Sequence, residues 1–297
     1  MAPATCDFRF SLQNRYAAES LVDALDPLGI SNGAVTISGR ATMSEKLISE
    51  EDFVGASVGD IRKTLKEFLE KHELPRADDL VILDMEPQDF APRLLGEFEG
   101  KRQRDLIAAY RRRIEVARQV FEDTNLPGVR IGLYQVIVPD GRGRLSHVFA
   151  RRLCGYLAAG KQGMYDELDF ICPVLYQRFG SADAEPQKLG EWIAASSQQG
   201  MEGSLALTRK DGELIPLVPI LSFWVFNGKS QNDRSAVPPE SVARQLEIVQ
   251  RSDGVEAILF WSGWQTKKEM RTAKDPVEEI DIEEFLVNSG ALPWPGC

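Results

Sequence analysis

Leu80–Pro87 reads "LVILDMEP", and the way this stretch can be housed decides the fold. Four apolar residues run into Asp84, and a second carboxylate, Glu86, follows two positions later. A short, continuously apolar run of this kind is that of a strand buried on both faces, as in parallel sheets covered by helices. Side chains alternate across a strand with period two, so Asp84 and Glu86 share one side and Met85 takes the other. Pro87 cannot donate to a ladder and ends the strand. Burying carboxylates is costly, so the pair is expected at the mouth of the sheet, beyond its apolar wall.

The same grammar repeats along the chain. Strand-like runs occur at Phe8–Leu12, Ala34–Ser38, Leu80–Glu86, Val129–Val138, Leu168–Tyr176, Leu217–Phe226 and Val255–Ser262. Between them lie helical patterns at Ala17–Leu28, Val58–Lys71, Lys101–Phe121, Ser146–Ala159, Leu189–Gln198 and Pro239–Arg251, with a last short one at Ile282–Val287. In Lys101–Phe121, residues Ile107, Tyr110, Ile114, Ala117 and Phe121 fall on one face. No linker or low-complexity segment divides the units, so residues 1–297 are expected to form a single domain. The unit count predicts an α/β fold, a TIM-like (β/α) barrel of seven strands. A doubly wound sheet fits less well, because the first strand runs into "SLQNRY" and neither GxGxxG nor GxxxxGK[ST] occurs.

Composition narrows the function classes. The content of 43% hydrophobic and 27% charged residues is that of an ordinary globular protein. No apolar run reaches the roughly 18 residues of a membrane helix, so no membrane partner is expected. A net charge of −10 argues against nucleic acid, and the basic run Arg111–Arg113 is expected on a solvated helix face. Cys6, Cys154, Cys172 and Cys297 contain no CxxC spacing, and Cys154 and Cys172 are expected as buried free thiols. His72 and His147 are the only histidines, too few for a His-based triad or a multi-His zinc site. "MAPATCDFRF" at the amino terminus lacks the basic start and apolar core of a signal segment. The address and oligomeric state stay open, with a secreted or periplasmic address favoured if a signal was removed ahead of this sequence.

Barrel enzymes carry their chemistry at the carboxyl ends of the strands, and polar and aromatic residues collect there. The third strand ends in Asp84-Met85-Glu86, and the fourth passes through "GLYQ", with Tyr134 and Gln135. The fifth, "FICPVLYQRFG", delivers Tyr176, Gln177 and Arg178. "SFWVFNG" gives Trp224 and Asn227, and "LFWSGW" gives Trp261 and Trp264. Two carboxylates this close resist ionising together, so one keeps its proton to higher pH and suits donation to a leaving group. Three readings stand: a catalytic pair acting on a glycan, a non-catalytic glycan-binding barrel, and a Mg²⁺-dependent lyase or hydrolase using Asp84, Glu86 and Asp169.

At these motifs the sequence resembles the hyaluronidase-like glycosidases and, more distantly, the chitinase-like ones. Hyaluronidases look like barrels of seven strands with an Asp-x-Glu motif ending the third, where "LDMEP" falls here. A GxY strand matches "GLYQ", an apolar strand ending in Tyr matches "CPVLY", and a closing GxxxxxWxS strand matches "GVEAILFWSG". The resemblance runs from Leu80 to Gly263 as short motifs in order. It implies substrate-assisted, retaining hydrolysis of N-acetylhexosamine-containing oligosaccharides or polysaccharides, in which the substrate's acetamido oxygen replaces an enzyme nucleophile and neither a metal nor an organic cofactor is needed. By motif, Glu86 would be the general acid and then the base, and Asp84 would orient and stabilise the acetamido group. Tyr176 and Tyr134 would hydrogen-bond near that group and Trp261 would floor the sugar pocket, with Gln135, Arg178, Trp224 and Asn227 as further substrate-binding candidates. The chain departs from the pattern in Pro87-Gln88-Asp89 and in lacking counterparts of the family's disulfides. Its acidity fits poorly with an anionic polymer such as hyaluronan, so a neutral N-acetylhexosamine glycan stands beside it as expected substrate.

Overall fold

The computed structural model describes residues 9–13, 30–31, 34–38, 49–71, 79–85, 92–124, 126, 128–179, 183–223, 225, 237–261, 284 and 287–289. The expected helix Ala17–Leu28 and most of Ile282–Val287 lie outside the described residues. In chain order the elements are β1 (Arg9–Gln13), β2 (Ile30–Ser31), β3 (Ala34–Ser38), α1 (Glu50–Gly55), α2 (Val58–Lys71) and β4 (Leu80–Asp84). A 3₁₀ turn (Pro92–Glu97) leads to α3 (Gly100–Asp123), β5 (Arg130–Leu133), α4 (His147–Lys161) and β6 (Phe170–Ile171). The chain continues through α5 (Pro186–Leu205), β7 (Ile220–Ser222), α6 (Pro239–Gln250) and β8 (Ala257–Trp261).

The protein is mixed α/β, and every ladder between these strands is parallel. One sheet has the order β2-β1-β8-β7 and the other β3-β4-β5-β6. The first and last strands therefore pair, from Arg9 with Ala257 to Gln13 with Trp261. Isolated parallel bridges Ile171–Leu217 and Val174–Ile220 tie the edge of one sheet to the edge of the other. At the opposite edges, β2 and β3 follow each other closely in sequence, β2 pairing with β1 and β3 with β4.

Period-two alternation sorts the strand residues into two cores. Val81, Leu83, Met85, Ile131, Leu133, Leu221, Ile258 and Phe260 pack with the apolar faces of the helices, including Ile61, Leu65 and Leu69 of α2 and Ile107, Tyr110, Ile114 and Phe121 of α3. Leu80, Ile82, Phe170, Cys172, Val218, Ile220, Ala257 and Leu259 belong to a second cluster that contains no helix residue among the described residues. Gly132 makes room for it, since a Cβ there would lie 2.0 Å from the Phe170 ring. Ser49 and Ser57 start α1 and α2 as N-caps, each hydroxyl accepting the amide of the residue three on, at 3.1 Å.

Several elements differ from the sequence reading. The run Val129–Val138 pairs only as far as Leu133, because Gln135 and Ile137 take φ values of 58° and 65° and turn the chain out of the sheet. Within Leu168–Tyr176 the ladder holds only Phe170–Ile171, since Pro173 has no N–H to give. Leu217–Phe226 likewise pairs over Ile220–Ser222, after Pro219. Helix α5 starts earlier than expected, with Pro at its first turn, and runs on to Leu205. Cys172 is buried as expected, whereas Cys154 is exposed on α4.

The basic run on α3 also departs from the solvated face expected of it. Arg111 stays in solvent, but Arg112 Nη1 donates to the Val54 and Ala56 carbonyls at the end of α1, at 3.2 and 2.8 Å. Arg113 is 0% exposed, its guanidinium lying 3.7 Å from the Phe53 ring centroid. Among the described residues its Nη1 reaches only the Ala109 carbonyl of its own helix, at 3.0 Å, and its Nε and Nη2 find no acceptor. Burial and the charge of Arg112 pull its pKa down to about 10. A buried charge without a carboxylate partner weakens a fold. Arg113→Met is therefore expected to raise the free energy of unfolding by about 1–3 kcal/mol, read from urea unfolding at neutral pH; a loss of stability would show that the guanidinium is needed where it lies.

Candidate active site

The site grows out of the inner cluster where its apolar layers end. On β4, Leu80 and Ile82 belong to that cluster, and Asp84, two residues further on, continues the same face as the last residue of the strand. Asp84 is half-buried and in register with Ser38, the last residue of β3. Met85 points the other way into the helix-covered core, and its carbonyl accepts the Tyr110 hydroxyl of α3 at 3.1 Å. That bond fixes the backbone directly after the aspartate.

Two tyrosines complete the described part of the site. Tyr134 packs against the inner cluster from the end of β5, its amide donating to the Leu83 carbonyl at 3.0 Å. Tyr176, 5% exposed, belongs to the same cluster from the extended segment after β6. Their hydroxyls are hydrogen-bonded to each other at 3.1 Å, which gives the buried Tyr176 phenol a partner. Burial pushes the Tyr176 hydroxyl well above the ordinary tyrosine value, and neighbouring Tyr134 and Asp84 push it the same way. Asp84, Tyr134 and Tyr176 are thus brought together, with Tyr176 held as a neutral donor and acceptor beside the carboxylate.

The remaining candidates fall in different places. Gln135 is buried, on the left-handed turn after Tyr134, and its carbonyl accepts the Tyr156 hydroxyl at 3.0 Å. Arg178 is half-buried and lines a narrow crevice bordered also by Gln177, Phe179, Trp192 and Gln245. Trp261 is the last residue of β8, in register with Gln13 and Ser222, but its side chain lies outside the described residues. Glu86, Trp224 and Asn227 also lie outside them. Asp169 is at the other end of its strand, where its Oδ2 takes Arg118 Nη2 at 2.5 Å and the Ile131 amide at 2.7 Å. It therefore cannot join Asp84 around a Mg²⁺ ion, which corrects that part of the metal reading. Among the described residues no group of three His, Cys, Asp or Glu could hold a metal, and no helix among them is long and apolar enough to cross a membrane.

Sequence reasoning did not find the residues that brace the site. Gln245 of α6 donates to the Leu175 carbonyl at 2.6 Å and accepts from Gln177 at 3.2 Å, clamping the segment that carries Tyr176. A glutamine within an amphipathic helix gives no sign of such a role. The lone Gly132 inside an apolar strand was the readable signal of close packing beneath Tyr134.

No protein-family profile matches the sequence, and no curated protein does. Solved structures do. Bee venom hyaluronidase covers 95% of this chain and 97% of its own, at 12% identity and a TM-score of 0.57. That likeness establishes a shared fold. GH26C from Muricauda sp. has 13% identity over 93% of this chain and 69% of its own, with a TM-score of 0.48. A D-psicose 3-epimerase in the presence of D-fructose has 12% identity over 94% and 95%, with a TM-score of 0.36.

The raised Tyr176 value carries a consequence for stability. A tyrosine that stays protonated in the fold but ionises near about 10 when unfolded loses stability as pH rises past that value, because the unfolded chain then binds fewer protons. Tyr176→Phe removes that contribution. Between about pH 9 and 11 its unfolding free energy is expected to fall less steeply than the wild type's, by up to about 1.4 kcal/mol per pH unit. Urea unfolding across this range measures both slopes, and parallel slopes would contradict the burial of the hydroxyl.

Proposed function

We propose that this chain is a glycoside hydrolase that cleaves N-acetylhexosamine-containing glycans with retention, by substrate-assisted catalysis. The observation that carries the reading is the junction of Asp84 with the Tyr134–Tyr176 hydroxyl pair at the carboxyl end of the inner cluster. The fold shared with bee venom hyaluronidase supports it. We read the two parallel sheets as arcs of one closed barrel of seven strand positions within a single domain, a reading supported by the pairing of β1 with β8 and the isolated bridges Ile171–Leu217 and Val174–Ile220.

In this mechanism Glu86 donates its proton to the glycosidic oxygen while the acetamido oxygen of the same sugar attacks the anomeric carbon. The glycosidic C–O bond breaks, and the sugar is held as an oxazolinium. Asp84 sets the acetamido group for attack and balances the positive charge that forms on it. Tyr176 donates a hydrogen bond to the same group while accepting the Tyr134 hydroxyl, which holds the donor in place, so little reorganisation is needed as charge develops. Glu86, now a carboxylate, takes a proton from water, whose oxygen opens the oxazolinium and restores both groups. Trp261 floors the sugar pocket, and Gln135, Arg178, Trp224 and Asn227 bind along the glycan. The substrate is an oligosaccharide or polysaccharide, and no cofactor takes part.

Turnover of a panel of neutral and acidic N-acetylated glycans tests the reading. Glu86→Gln is expected to lower kcat by about a thousandfold, with folding unchanged by circular dichroism. Turnover by that variant at the wild-type rate would exclude Glu86 as the acid.

A further inference from the structure

The segment Tyr134–Ile137 is held in a conformation its residues do not favour. Gln135 and Ile137 sit in the left-handed region at φ 58° and 65°, and neither is glycine. A β-branched residue there is a rare outlier, and such backbone persists only where its surroundings impose it. Three contacts impose it here. The Tyr156 hydroxyl, reaching from α4, donates to the Gln135 carbonyl at 3.0 Å. The Ile137 carbonyl accepts the Val174 amide at 3.1 Å, two residues before Tyr176. The Ile137 side chain, fully buried, lies over Gly203 of α5 and beside Phe149 of α4, each 3.5 Å from where a Cβ on Gly203 would stand.

The turn thus spans the two tyrosines. Its first residue is Tyr134, tied by its amide to β4 just before Asp84, and its last is bonded to the segment that carries Tyr176. A change in its path alters the separation of the two hydroxyls. We infer that Tyr156 is a positioning residue for the Tyr134–Tyr176 pair, acting through this left-handed turn. Tyr156 is 0% exposed, and its backbone carbonyl, within α4, accepts the Tyr165 hydroxyl at 3.1 Å. The bond from Tyr156 fixes Gln135 in place of the glycine that such a turn ordinarily demands.

The effect on turnover rests on the glycosidase reading, so the test has an arm that does not. With 3-fluorotyrosine in place of tyrosine, each of the six tyrosines gives a fluorine resonance, assigned by single Tyr→Phe changes. In Tyr156→Phe the Tyr134 and Tyr176 resonances are expected to move, and Tyr176 to titrate at lower pH than in the wild type. The kcat on an N-acetylated glycan is expected to fall about tenfold, with KM changed less than about twofold. Tyr165→Phe, which removes a neighbouring buried hydroxyl one step further from the turn, should change neither. Should Tyr156→Phe fail to fold, Gln135→Gly keeps every hydroxyl while freeing φ, and broadening of the same two resonances is expected. Wild-type positions for both resonances in the folded variant would overturn the proposal. If the wild-type protein turns over no N-acetylated glycan, the glycosidase reading fails while the resonances still decide the positioning role.

Discussion

A strand covered on both faces has nowhere to put a charge except at its ends, and β4 is such a strand. Leu80 and Ile82 face one cluster, Val81 and Leu83 face the other, and all four are buried. An ionised carboxylate in either layer would cost several kcal/mol. At the last position of the strand Asp84 keeps partial access to water while its backbone stays in the ladder with β3. The remainder of the site is arranged around that limit. Met85 anchors outward under Tyr110, its carbonyl accepting that hydroxyl.

The same constraint explains why the groups near Asp84 include tyrosines. The inner cluster narrows through Phe170 and Cys172 to Tyr176, whose ring adds to the apolar packing and whose hydroxyl needs a partner once buried. Tyr134 supplies it at 3.1 Å. A neutral pair is the economical choice beside a carboxylate in a desolvated place, because phenols order hydrogen bonds there without adding a second charge. The Gln245 clamp bonds to the residue before Tyr176, and the strained turn follows directly on Tyr134. Such rigidity is what electrostatic stabilisation of a developing charge requires.

Much of this was legible in the sequence where one period dominates. The helix over Val58–Lys71 matches its expected bounds, and the apolar face of α3 is the one its spacing implies. The strand order of polar residues brought Asp84, Tyr134 and Tyr176 into view before any contact was known. What escaped was backbone geometry imposed from elsewhere. "YQVIV" after Leu133 has the composition of a strand, and only its neighbours make it a turn. Small residues such as Ser196, Ser197, Gly200 and Gly203 blur the period of α5, so its length was underestimated. The serine caps of α1 and α2 were readable as Ser-x-x-Asp at Ser49 and Ser57, though only α2 was recognised as a helix. Arg113 hid among basic neighbours, its burial set by where Phe53 packs.

The central claim is that an acetamido group lies against Asp84 and the tyrosine pair. A crystal structure of the protein with a thiazoline mimic of a cyclised N-acetylhexosamine tests it directly. The account predicts the thiazoline ring at the end of β4, with Asp84 and the Tyr176 hydroxyl each about 3 Å from its heteroatoms. A sugar bound elsewhere on the protein, or seated there with its ring turned away from Asp84, would contradict it.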